Sequence, residues 1–180
     1  MKTITNYNVI STKKGDKGTS QNFSNETFSK TDILFDTLGT FDELTTFLGL
    51  AYHYAPYKDE IKMIQRDLQS INSIIATNPK DREKRKISDF SQSDVDRLEK
   101  IEEEVLKNAS IPPRFILPGS DSTKPGAYIG VCRAITRKAE RMLNRFYIIK
   151  ERPIDVFVLA YINRLSDVLF IMARSLDEPK

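Results

Sequence analysis

Three arginines, Arg133, Arg137 and Arg141, recur every four residues in the run GVCRAITRKAER, and on a helix that spacing lines them along one face. Guanidinium groups are planar, forked and permanently charged, so three in a row suit the oxygens of a polyphosphate better than a lone carboxylate. Glu140 lies one turn from Arg137, close enough to orient a guanidinium. Other residue types narrow the chemistry. The single histidine, His53, excludes a His-clustered zinc site and argues against a Ser-His-Asp triad. Set among Tyr52, Tyr54 and Pro56 at a helix end, it reads as a surface residue. The single cysteine, Cys132, excludes an internal disulfide and any CxxC motif.

The stripe needs a scaffold, and the chain supplies helices. Apolar residues at alternating three- and four-residue spacing predict five of them. The first spans about residues 32–54 and the second about 58–77, stopped by Asn78-Pro79. The third starts near Ser93 as N-cap and ends before Ile111-Pro112-Pro113. The fourth covers about 125–147. The fifth follows Pro153 and is apolar around most of its circumference from Ile154 to Met172, so it should be the most enclosed. The first thirty residues read as irregular, residues 79–90 as a mobile charged loop, and no strand-like alternation is evident. The expected fold is all-α: an antiparallel five-helix bundle behind an irregular N-terminal segment.

A length of 180 residues fits one domain over 1–180. A net charge of +3 is too small to argue for nucleic acid, and the densest basic run, KDREKRK at 80–86, reads as a solvated loop. The longest unbroken apolar run, Val156 to Ile162, is far short of a membrane span, and MKTITNYNVIST has no signal core. A cytoplasmic protein without membrane or nucleic-acid partners is expected.

Several polar groups sit where the pattern calls for apolar ones. Asn163-Arg164-Leu165-Ser166-Asp167 interrupts the fifth helix. Either Arg164 and Asp167 pair on the surface, or Asn163 projects into a ligand site. Asp36, Asp42 and Glu43 read mainly as dipole complements near a helix start, with Asp36 also able to pair with a stripe arginine. Gly39 within that helix hints at close backbone packing. The loop Thr12 to Ser20 lacks P-loop order, yet its glycines could wrap backbone amides around phosphates. Phe115 to Gly119 is an apolar segment entering a turn, open to a packing or a ligand role.

Taken in order, the blocks TKKGDKGTS, SKTD, LGTFDELTTFLGLA, FILPGS, CRAITRKAER and YINRLSDVLFIMAR resemble the PduO-type ATP:cob(I)alamin adenosyltransferases, from Thr12 to Arg174. The resemblance implies a ferritin-like five-helix bundle that forms a homotrimer with active sites between subunits. It implies attack by the Co(I) of a reduced corrinoid on the 5′ carbon of ATP, with Mg²⁺ on the triphosphate, which no side chain is expected to hold alone. It also implies a separate reductase and a B12-dependent acceptor of the product. Because Co(I) is a strong nucleophile, such chemistry needs no catalytic Ser, Cys or His.

By motif position, residues 1–30 become a nucleotide-wrapping segment in which Thr12, Lys13, Lys14, Gly15, Ser20 and Lys30 contact ATP. Arg137, Lys138, Glu140, Arg141 and Asn163 complete the ATP set, with Arg137 the most rate-sensitive. Arg133 and Asp36 match an intersubunit ion pair supporting catalysis, and Phe115 an aromatic against the corrin that disfavours its lower axial ligand. The chain departs at Gly130 (often His), Lys138 (Arg), Ser29 (Pro) and PGSDS (P-G-G), the last in a stretch about two residues longer than usual. A non-catalytic ATP- or corrinoid-binding paralogue is the alternative, and a merely structural bundle a third reading.

Overall fold

The computed structural model describes residues 3–109, 111, 113–153 and 155–177. Five long helices carry the chain: α2 (Ile33–Tyr54), α3 (Lys58–Ala76), α4 (Gln92–Leu106), α5 (Lys124–Ile149) and α6 (Val156–Ser175). The N-terminal segment is more ordered than its sequence suggests. It holds a short helix, α1 (Tyr7–Ile10), and an antiparallel hairpin of β1 (Thr19–Gln21) and β2 (Thr27–Ser29), with Ser20 opposite Phe28.

Side chains define the helix starts. The Asp32 carboxylate accepts from the Leu34 amide, Thr123 from Gly126 and Asp155 from Val158. At α4 the cap is Ser91, in a capping box with Asp94, and not Ser93. Ile154 and Pro112, taken as boundary residues above, lie outside the described residues. The charged stretch 79–90 is folded rather than loose. It begins with a 3-10 turn at Pro79–Asp81, sets Arg85 4.5 Å over the Phe23 ring and ends with Phe90 buried.

The five helices close into a ring. α2 lies between α3 and α5, and α6 between α5 and α4. Arg97 of α4 completes the circuit on Asp67 of α3 at 2.8 Å. Neighbours alternate in direction: Asp32 meets Lys150, Glu43 meets Lys138, and Tyr54 stacks on Tyr128 along the α2–α5 contact. The exception is α4 with α6. There Phe90 meets Tyr161 and Glu99 meets Arg164, so the two run the same way. Five members of a closed ring cannot all alternate, so the antiparallel expectation needs this one correction. With α6 standing between α4 and α5, the connection 107–123 has to cross the end of α6.

α6 is the most enclosed helix, as its composition requires. By length and hydropathy it could cross a membrane, but 56% of its apolar window is buried within the bundle, as befits a core helix. Its Tyr161 hydroxyl donates to Asp67 at 2.7 Å, and burial pushes that hydroxyl well above its usual pKa. Cys132 is fully buried and its thiol is pushed up to about 12 by desolvation, so it supplies no thiolate.

Candidate active site

The loop before β1 is shaped by backbone. Gly18 takes a left-handed conformation (φ 77°), as does Lys13 (φ 56°), which has a side chain and adopts it less readily. The Asp16 amide donates to the Lys13 carbonyl, Gly18 to Gly15, and Lys30 to Gly18 at 2.8 Å, which closes the loop against the end of β2. Among the described residues the amides of Lys13, Lys14, Gly15 and Lys17 find no acceptor within the chain. A Cβ at Gly15 would stand 2.9 Å from Lys30 Nζ, so the glycine leaves the ammonium room to lie across the loop. Of the residues expected here, Thr12, Lys13, Lys14 and Lys30 are exposed, while Gly15 and Ser20 are half-buried.

This loop is held by its hairpin. The Phe23 amide donates to the carbonyl of Ala76 at the end of α3, and the Asn78 amide to Ser24 Oγ, each at 2.9 Å. Glu26 accepts from Asn22 Nδ2 at 2.7 Å and from Asn78 Nδ2 at 2.9 Å. The Asn22 bond, aided by Asn78 and against partial desolvation, holds the Glu26 carboxyl below its ordinary range. For Asp32, burial by itself would raise the carboxyl, but Lys150 and the Leu34 amide outweigh it and lower it. None of these anchors was legible as functional in the sequence, because Asn22, Glu26 and Asn78 meet only once the hairpin docks on α3.

On α5, Arg137 and Arg141 are exposed and Arg133 is half-buried, its guanidinium 5.3 Å from the Phe170 ring centroid on α6. Some arginines elsewhere find carboxylates: Arg82 with Asp89, Arg97 with Asp67 and Asp94, Arg164 with Glu99 and Asp167, Arg174 with Asp177. Among the described residues the three stripe arginines find none. Glu140 does not orient them. Its Oε1 instead accepts from Asn163 Nδ2 at 3.1 Å, which brings together two expected site residues from adjacent helices. Of the two readings of the 163–167 cluster, the surface pair of Arg164 with Asp167 is present, and Asn163 faces the stripe's glutamate.

Lys138 is engaged elsewhere, 2.8 Å from Glu43 of α2. Glu43 is a partner for Lys138 rather than a dipole complement, being well beyond the first turn of α2. Asp36 is exposed and makes no ion pair among the described residues, so the chain alone does not unite it with Arg133. Close packing at Gly39 is not met within the chain either, because a Cβ there would touch nothing. Gly39 instead borders a groove of about 460 Å³ with Phe35, Leu38 and Asp42, and no stripe residue lines that groove. Phe115 stands fully exposed on the 107–123 connection, with Leu117 largely exposed beside it. No hydrogen bond or ion pair among the described residues joins the N-terminal loop, the α5–α6 stripe and Phe115 to one another.

A family model described as cobalamin adenosyltransferase matches residues 10–176. The chain belongs to this family. Relatives include the corrinoid adenosyltransferase MMAB of Bos taurus, 34% identical over 173 residues that cover 92% of this chain and 70% of the relative. The corrinoid adenosyltransferase of Citrobacter freundii is 32% identical, covering 92% and 93% respectively. A phenylalanine-to-alanine variant of the PduO-type ATP:corrinoid adenosyltransferase of Lactobacillus reuteri, complexed with cobalamin and ATP, superposes with a TM-score of 0.82 at 29% identity, covering 92% of each chain. An arginine-to-lysine variant of the PduO-type enzyme from the same organism, complexed with ATP, gives 0.79 at 30% identity over 92% of each. The family match spans the N-terminal loop, the stripe and the Phe115 connection alike.

Proposed function

We propose that this cobalamin adenosyltransferase family member moves the 5′-deoxyadenosyl group of ATP to the Co(I) of a reduced corrinoid. The cobalt electron pair forms the Co–C5′ bond while the C5′–O bond breaks, and triphosphate leaves with that bond's electrons. The protein supplies no nucleophile. Its task is to hold the two substrates in line and to stabilise charge growing on the leaving triphosphate. Arg137 and Arg141 do the second. The unoccupied amides of Lys13, Lys14, Gly15 and Lys17, with the side chains of Lys13, Lys14 and Lys30, grip the polyphosphate, assisted by Thr12, Ser20 and Asn163.

The observation that carries this reading is the stripe itself: three guanidiniums on one face of α5 with no carboxylate partner among the described residues, beside the Glu140–Asn163 pair. Phe115, exposed with nothing packed on it, supplies an apolar contact for the corrin. Among the described residues no cluster of three His, Cys, Asp or Glu side chains gathers to hold a metal. The Mg²⁺ we propose therefore rides on the triphosphate oxygens and its own waters.

We extend the reading to a homotrimer with sites between subunits. The separation of the N-terminal loop from the stripe, and the open face of α2 at Asp36 and Gly39, support a neighbour there whose Arg133 meets Asp36. A cytoplasmic setting, a separate reductase to generate Co(I), and an adenosylcorrinoid-dependent acceptor complete it. The deciding assay is anaerobic. ATP and chemically reduced cobalamin are mixed with the protein, and the light-sensitive adenosyl product is followed by absorbance. Binding of both substrates without product would point to a carrier instead, and binding of neither would end the reading.

A further inference from the structure

Arg174, near the end of α6, is the sole charged residue buried among those described, at 8% exposure. A guanidinium is costly to bury unless charged and polar partners meet it. Two do. Asp177 lies 2.6 Å from Nη1, and Nη2 donates to Ser122 Oγ at 2.9 Å. The same spot gathers more of the connection that crosses the end of α6. The Thr123 amide donates to Asp177 Oδ1 at 3.2 Å, and its hydroxyl to the Leu176 carbonyl at 2.9 Å. A Cβ at Gly126 would stand 2.7 Å from Asp177 Oδ1 and 2.9 Å from the Ala173 carbonyl, so only glycine lets α5 start this close to α6.

Upstream, the connection folds on itself. The Asp121 amide donates to the Leu117 carbonyl, the Leu117 amide to Asp121 Oδ2, and the Ser122 amide to Gly119, where φ is 84°. Residues 117–122 thus form a closed turn whose downstream end is tied to Arg174 and whose upstream end leads, two residues earlier, to Phe115. We propose that Arg174 and Ser122 are positioning residues for the corrinoid: the buried guanidinium fixes the turn, and the turn fixes where Phe115 meets the substrate. Ser122 belongs to the stretch where this chain departs from P-G-G, so the contact is one this sequence supplies. The inference rests on the assignment of Phe115 to the corrinoid made under the proposed function.

Ser122→Ala tests it, because it deletes one bond and leaves Arg174–Asp177 and both Thr123 bonds intact. In the anaerobic assay the corrinoid KM should rise about tenfold, the equivalent of one charge-assisted hydrogen bond, while the ATP KM stays put and Tm falls as the buried Nη2 loses its partner. Ser122→Thr, which restores the hydroxyl, should recover the wild-type KM. Arg174→Lys, able to hold Asp177 but not to fork to Ser122, should reproduce the Ser122→Ala split. An unmoved corrinoid KM in both Ser122→Ala and Arg174→Lys, or equal rises for both substrates, would overturn the inference alone. Absence of turnover by the wild-type chain would overturn the functional reading and this inference with it.

Discussion

The loop at 12–18 and the segment at 113–123 are both irregular chain, yet they are fastened in opposite ways. The first is tied along its whole return path: Lys30 to Gly18, the hairpin to α3 through Phe23, Ser24, Glu26 and Asn78, and Asp32 to Lys150. The second is clamped at its downstream end, on Arg174 and Asp177, and carries Phe115 bare. Under the proposed function the difference follows what each would bind. A polyphosphate is recognised through many directional hydrogen bonds, whose donors must be in place beforehand. A corrin is a broad apolar disc met by contact, and a clamped base with an open tip lets an aromatic ring settle on it.

The largest expected effect lies where the two substrates converge. Arg137→Ala should lower kcat by roughly 10²–10³, the scale of losing one preorganised charge-stabilising donor, with Tm unchanged because the side chain is exposed. Activity near wild type would place the triphosphate elsewhere and dissolve the comparison. Next comes Phe115→Ala. Its stability change should stay within about 0.5 kcal/mol, since nothing packs on the ring, while the corrinoid KM rises about thirtyfold and the ATP KM holds. A matching rise for ATP would mean that the two loops do not divide the substrates.

Asn78→Ala probes the other side. It removes the Asn78–Glu26 bond and should raise the ATP KM about tenfold through a loosened hairpin, leaving the corrinoid KM alone. Kinetics under saturating partner substrate separate the two constants. The smallest effect concerns pH. The Glu26 and Asp32 carboxyls are both depressed on folding, so their stabilisation is complete above the ordinary carboxylate range and is lost as pH falls through their lowered values. Protection of the Phe23 and Lys30 amides, relative to their intrinsic exchange rates, should therefore fall below about pH 4. Protection that stays constant down to pH 2 would show the hairpin to be held by backbone alone.

The five helices were legible because each buries one face, and a period of three and four survives any arrangement of neighbours. The α4 cap was legible only to within two residues. Ser91 and Ser93 each stand three residues before an acid, Asp94 and Asp96, and the structure selects Ser91. The hairpin was not legible, since three-residue strands have no pattern of their own and depend on Ala76 and Asn78, more than fifty residues on. At the site, residue types and spacing marked the stripe, and the structure joins Asn163 to Glu140 much as both were singled out. What spacing could not supply was partner choice. Nothing in the run CRAITRKAER tells that Lys138 turns to Glu43 or that Arg133 lies over Phe170. Arg174 left a signal that went unused: an arginine at the end of the greasiest helix has to meet something.

The parallel pair α4 and α6 has a consequence for how this family can change. Because the chain must step across α6 to reach α5, a long connection is demanded by topology. The entropy of closing such a span grows only with the logarithm of its length, about 0.6 kcal/mol for a doubling. Two extra residues between the helices therefore cost the bundle almost nothing, while they reshape the surface around Phe115. Variation can accumulate there, in the one stretch where the ring's odd number already obliges the chain to wander.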